Sequence, residues 1–123
     1  MHSLLLVLVP SGVADVSGFV REQLEPHRHR VDDFRRFDYF VIGGLFDGRI
    51  LPPGARPRRP HSIENNLCPV RELDPELPVG GILLPDGAWI DGLDLSQPRW
   101  REYLRAILDE HQEASLACVD IHC

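Results

Sequence analysis

Lysine is absent from this 123-residue chain. Every permanent cation is therefore an arginine, a planar fork suited to carboxylate or phosphate. The phosphate-loop pattern G-x-x-x-x-G-K-[ST] is excluded with it. No G-x-S-x-G nucleophile elbow occurs, and no C-x2-C pair of the kind that opens a zinc site. Cysteine is scarce and odd in number: Cys68 stands alone, and Cys118 and Cys123 lie five apart. Three thiols cannot close into a full disulfide framework, so reduced cysteines in a cytoplasmic protein are the expectation. Long apolar runs are missing too. Leu4 to Val9 stops at Pro10, far short of a membrane span. With no basic residue before it except His2 and no small-residue cleavage site after it, it reads as a buried strand and not a signal peptide.

What is present fits one intracellular domain. The chain is 43% hydrophobic and 26% charged, close to the globular norm. A compact domain of this length buries about two-thirds of its unfolded surface. The net charge of −6 speaks against a nucleic-acid partner. That charge is uneven. Residues 1–60 hold nine Arg against seven acids, and residues 61–123 hold four against twelve.

Leu4–Val9 is apolar on both faces, as in a central strand covered on both sides. Val16, Phe19, Val20 and Leu24 follow at helical spacing, with Asp15 or Ser11 as cap and Pro26 as terminator. A polar, Arg-rich connection runs from His27 to Arg36. Tyr39–Ile42 is β-type, and Gly43-Gly44 interrupts it as a bulge or a close backbone approach. Asp47-Gly48 predicts a hairpin between Leu45-Phe46 and Arg49–Leu51. Residues 52–60 form a Pro/Arg-rich loop insertion, and Asn66–Leu73 a short strand or ordered loop. Asp86-Gly87 predicts a second hairpin within Ile82–Ile90, with Pro85 marking an edge position or a longer loop. Ser96 and Pro98 open a helix whose apolar face carries Trp100, Leu104, Ile107, Leu108 and His111. Ser115–His122 alternates as a strand. The order predicts an α+β fold: a ferredoxin-like βαβ-hairpin-βαβ sandwich, two helices on one face of a mainly antiparallel sheet.

Alternation on the last strand turns Cys118, Asp120 and His122 to one side, about 7 Å apart. A thiol, a carboxylate and an imidazole are the residue types of an activated nucleophile with its base, so these three are the catalytic candidates. They are equally metal-ligand types, but one strand cannot supply a tetrahedral site. His61 and Cys68, folding over from the proline loop, would complete a set with Asp120 and His122. Zinc is the one cofactor this admits, and no motif requires it. The plain alternative is a polar outer face on a terminal strand, with Cys118 a small buried residue. His27 and His29 with Arg28, Arg30, Arg35 and Arg36 make either a solvated loop or an anion patch.

The segment Asp38-Tyr39-Phe40-Val41-Ile42-Gly43-Gly44-Leu45-Phe46-Asp47-Gly48 resembles a D-x-Y-x-I-G-G-R-W-[DTS]-G motif found in a group of uncharacterised small proteins of high-GC bacteria and their phages. Asn66–Leu73, Leu84–Trp89 and the ending Val119-Asp120-Ile121-His122 extend the resemblance. Leu45-Phe46 departs from it, where the group carries Arg-Trp. The resemblance implies a shortlist of binding residues: Gly43, Gly44, Asp47, Asn66 and Trp89, with Gly48, Asp86, Gly87, Asp120 and His122 beside them. It implies no activity.

These observations favour a small binding or accessory protein, phage-associated, acting on a protein partner or as a homodimer. A second protomer would cover the sheet face that two helices on one side leave bare. The alternatives are a metal-dependent hydrolase using Asp120 and His122, and an anion or nucleotide binder using the Arg-rich first half.

Overall fold

The computed structural model describes residues 1–28 and 37–122. The expected contribution of His29, Arg30, Arg35, Arg36 and Cys123 lies outside the described residues.

The chain forms β1 (His2–Val9), α1 (Val16–Leu24), β2 (Tyr39–Ile42), β3 (Leu67–Pro69), β4 (Gly81–Leu83), β5 (Trp89–Asp91), α2 (Gln97–Asp109) and β6 (Ser115–His122), with short 3-10 turns between them. All strands join one sheet in the order β2-β6-β1-β4-β5. β2 and β3 share the outer side of β6, against residues 119–122 and 115–117. Only the β1–β4 pair is parallel, so the sheet is mixed and mostly antiparallel.

The centre is the antiparallel ladder of β1 and β6, paired from His2↔His122 to Val9↔Ser115. β1 carries no polar side chain between Leu4 and Val9, so both of its faces must be kept from water. Leu4, Leu6 and Leu8 pack with Leu116, Cys118, Trp100 and Leu104 in one core cluster. Leu5, Val7 and Val9 pack with Ala117, Val119, Val20 and Leu24 in another. Helix α2 therefore covers one face and α1 the other.

This corrects the ferredoxin-like expectation of two helices on one face. The α+β class stands, but that layout would leave a whole row of β1 and β6 leucines in water. It also removes the expected reason for a dimer, because neither central face is bare.

Local signals mostly hold. The Asp15 carboxylate caps α1 by accepting the Gly18 amide at 3.0 Å. Ser96 occupies the N-cap position of α2, and Pro98 sits in its first turn. The Asp86-Gly87 hairpin forms, pairing Gly81↔Asp91 through Leu83↔Trp89, with β5 at the sheet edge. The Asp47-Gly48 hairpin does not form. Gly44–Phe46 is a 3-10 turn and 47–50 a run of turns, because the Asp47 side chain is drawn into a loop network described below. Residues 53–60 are exposed and without regular structure. No helix among the described residues is long and apolar enough to cross a membrane.

Leu6 is fully buried at the central ladder, so Leu6→Ala is expected to cost about 2–5 kcal/mol by urea unfolding. Leu93→Ala, at a side chain 83% exposed, is expected to stay within about 0.5 kcal/mol. Equal effects at the two positions would contradict the placement of the core.

Candidate functional site

The register of the central ladder fixes what meets at its open end. His2 and Tyr39 both pair with His122, so three rings form a row across β1, β6 and β2. Tyr39 stacks on His122 with ring centroids 4.7 Å apart and planes 11° apart. His2 meets His122 edge-on at 5.1 Å. Each imidazole has its own carboxylate. His2 Nδ1 lies 2.8 Å from Asp120 Oδ1, and His122 Nδ1 lies 2.9 Å from Asp38 Oδ1. A carboxylate only accepts, so these contacts place the ring proton on Nδ1 in both. The hydrogen bond from His122 holds the Asp38 carboxyl below its ordinary value.

One row further in, Asp120 is buried. A buried carboxylate is costly unless its oxygens find donors. Oδ1 has His2, and Oδ2 accepts the Leu45 amide at 2.9 Å from the 3-10 turn that lies over it. That turn approaches so closely that a Cβ on Gly44 would collide with the Asp120 carboxylate, and Gly44 has φ +55. Glycine is required there twice over, for space and for backbone conformation. Further in still, Cys118 is fully buried, its thiol donating weakly to the Phe46 carbonyl at 3.7 Å. Burial, then the Asp120 and Asp47 carboxylates, push this thiol up to about 12.

Beside the turn lies a second polar knot. Asp47 Oδ1 accepts from Asn66 Nδ2 (2.8 Å), Asn65 Nδ2 (2.9 Å) and the His61 amide (2.9 Å). Asn66 returns a bond by accepting the Gly48 amide at 3.1 Å, and Asn65 accepts the Arg58 amide at 3.0 Å. Burial opposes ionisation of Asp47, yet the bonds from Asn66, Asn65 and His61 outweigh it and hold the carboxyl below its ordinary value. His61 takes φ +60, unusual for a side-chain-bearing residue, to present that amide. Gly43, at φ +80, leaves no room for a Cβ against Asn66 and Asp47.

The sequence candidates are thus sorted. Cys118, Asp120 and His122 do share one side of β6, the α2 side. They do not act as one group: the thiol is sealed, and Asp120 and His122 bond to different partners. Gly43, Gly44, Asp47 and Asn66 come together as the knot that fastens the turn. Trp89 is elsewhere, on the α1 side of the sheet, stacked with Phe37 and beside His27. Its indole donates to Asp91 Oδ2 at 3.1 Å. His61 contributes its backbone, and Cys68 is buried in the α2-side core with burial and Glu72 pushing its thiol up to about 11. The expected metal set His61, Cys68, Asp120 and His122 is not assembled. Among the described residues, no three or more His, Cys, Asp or Glu side chains are gathered as ligands for a metal ion. Arg28, the described part of the arginine patch, donates from Nε to the Asp38 carbonyl at 3.1 Å.

His2, Asp38 and Tyr39 were not legible as site residues. Only strand register brings position 2 against position 122, and no spacing signal encodes it. No family model, curated protein or solved structure matches the chain.

Asp47→Ala leaves two side-chain amides and one backbone amide without their acceptor, and is expected to cost about 1–3 kcal/mol. Because the folded carboxyl sits below its unfolded value, its contribution is complete at neutral pH. It is lost as pH falls through the folded value, below about pH 4. Asp47→Asn should flatten that acid limb in urea unfolding measured from pH 3 to 7; an unchanged limb would contradict the network. Thiol chemistry gives a separate check. In a Cys123→Ser background, Cys68 and Cys118 should react with a disulfide reagent at pH 8 only at the unfolding rate. Fast labelling of either would show that the thiols are not sealed.

Proposed function

We propose that this chain is a non-catalytic binding protein that works as a symmetric pair joined along the outer edge of β2. The observation that carries the reading is the character of that edge. Tyr39 and Val41 are 43% and 41% exposed on an edge strand without a charge, a proline or a bulge, and Leu45 beside them is 63% exposed. Natural edge strands are normally blunted by one of those devices, and an unguarded one is a template for strand pairing. Its inner side pairs with β6, and among the described residues no strand pairs with its outer side.

A second copy fits better than an unrelated strand. Antiparallel self-pairing of Tyr39–Ile42 is isologous and brings no like charges together. The opposite sheet edge differs: Asp91 lies in β5, and Asp86 and Asp94 flank it, so self-pairing there would oppose carboxylates. The state of the catalytic candidates supports the same reading. A thiol held near 12 is no nucleophile at neutral pH, and a hydrolase built on Asp120 with His122 has those two bonded elsewhere. An accessory role in a high-GC bacterium or its phage rests on the motif resemblance. A cytoplasmic setting accords with the free thiols of Cys68 and Cys118.

Sedimentation velocity from about 5 to 200 µM should show a two-chain species. Val41→Arg should return it to one chain while unfolding at the wild-type temperature. A wild-type protein that sediments as one chain throughout would overturn the pairing.

A further inference from the structure

The chain concentrates unneutralised positive charge in one loop. Between Gly48 and Ile63 there are four arginines and no acid, while the rest of the chain holds nine arginines against nineteen acids. The Arg49 guanidinium lies over the Phe46 ring, 5.7 Å from its centroid, and is engaged there. Arg56, Arg58 and Arg59 are exposed, and among the described residues none of them has a carboxylate within ion-pair distance. The cleft of about 390 Å³ between α2 and residues 70–79 is different. Three arginines and three acids line it, so its charge is balanced.

The loop is also fastened to the body of the protein. The Ala55 amide donates to the Pro52 carbonyl at 3.1 Å, and the Ser62 amide to the Arg59 carbonyl at 3.1 Å, so a turn closes at either end. Between them, the Arg58 amide donates at 3.0 Å to Oδ1 of Asn65, a buried side chain that is itself held by Asp47. The His61 amide donates to the same Asp47 oxygen. Pro52, Pro53, Pro57 and Pro60 restrict the backbone further. A buried amide thus holds the backbone while three guanidinium groups stand in solvent. Order of this kind lowers the entropy that docking would cost.

Guanidinium forks take carboxylate or phosphate. Two features favour carboxylates on a polypeptide. Gly48–Ile63 contains no Phe, Tyr or Trp on which a nucleic-acid base would stack. The acidic remainder of the chain repels a long polyanion that must run beyond the loop, whereas a short acidic segment meets the loop alone. We propose that residues 56–59 dock an acidic segment of a partner protein, with neighbouring carboxylates pairing to Arg56, Arg58 and Arg59. These three cover about 10 Å of extended chain, the reach of three or four successive acidic residues. The loop shares no residue with β2, so this docking and the proposed pairing stand or fall separately.

The test is a titration of the full chain with a capped hexaglutamate peptide in about 20 mM salt, followed by amide chemical shifts. The expected result is saturable binding with a Kd of about 0.1–1 mM, weakened about tenfold in about 150 mM salt. The largest shifts should fall on the amides of Arg56, Arg58 and Arg59. Arg56→Gln, Arg58→Gln and Arg59→Gln together should weaken binding about tenfold. A matched triple on α2, Arg99→Gln, Arg101→Gln and Arg105→Gln, should change it by about twofold at most. All six arginines are exposed, so both variants should keep their fold, which their amide spectra will report. Absence of saturable binding would overturn the proposal. So would equal loss in the two triple variants, or decathymidylate binding more tightly than hexaglutamate, which would assign the loop to nucleic acid.

Discussion

The ladder between β1 and β6 is the constraint from which the rest of this structure follows. Each of its strands is apolar on both faces through most of its length, and such strands are stable only when both faces are covered. One helix cannot reach both sides. The chain therefore sends α1 to one face and α2 to the other, and two separate clusters of buried side chains result. Burying side chains of this size stabilises the fold by about 1.5–3 kcal/mol each before entropy is subtracted, so the double cover outweighs any preference of the intervening loops. The loops adapt: residues 43–66 form no hairpin, and instead lay a tight turn over the β6 end of the α2 side.

That adaptation explains why polar groups lie where they do. The α2-side face of β6 runs Leu116, Cys118, Asp120, His122, from fully buried to half-exposed. α2 covers the first part, and the Gly44–Phe46 turn covers the next. A carboxylate under a turn would destabilise the fold unless both oxygens were satisfied, and here the turn's own amide and the His2 ring do so. The knot around Asp47 has the same logic. A loop without strand pairing must place its backbone donors somewhere, and Asn65, Asn66 and Asp47 take up the amides of Gly48, Arg58 and His61. Residues that stand out in the sequence as reactive types are thus largely structural. A thiol, a carboxylate and two asparagines fasten one turn to one strand.

How far the sequence could lead is set by the range of each interaction. Local signals were legible: the cap at Asp15, the Asp86-Gly87 turn, and the alternation that puts Cys118, Asp120 and His122 on one side. The parity of β1 was legible as well, since an apolar run without alternation already asks for two covers. What was not legible depends on contacts distant in sequence. Asp47-Gly48 has the dipeptide of a tight hairpin, but two amides nearly twenty residues on capture its carboxylate and override the turn preference. The His2–His122 contact spans the entire chain and depends on register, which a run of six similar apolar residues leaves unspecified. Trp89 shares motif character with the glycine turn, yet the hairpin carries it to the other face.

The two surfaces left over after the core is satisfied differ in kind, and the difference bears on what each can recognise. β2 is short, uncharged and apolar toward solvent, and its recognition elements are backbone groups, which pair with any strand of matching geometry. Such an edge discriminates poorly unless symmetry supplies the partner. In the proposed pairing a second copy would supply it, because its register is that of the chain itself. The cleft along α2 has the opposite character. Its wall is held by an indole-to-carbonyl bond and two prolines, and its rim carries three arginines and three acids, so its shape is set by the fold while its charge is balanced. Both surfaces trace to the same cause. Once α1 and α2 cover opposite faces of the central ladder, neither helix is available to shield the β2 edge, and the polypeptide leading to β4 crosses the flank of α2 with only the 3-10 turn Val70–Glu72 as regular structure.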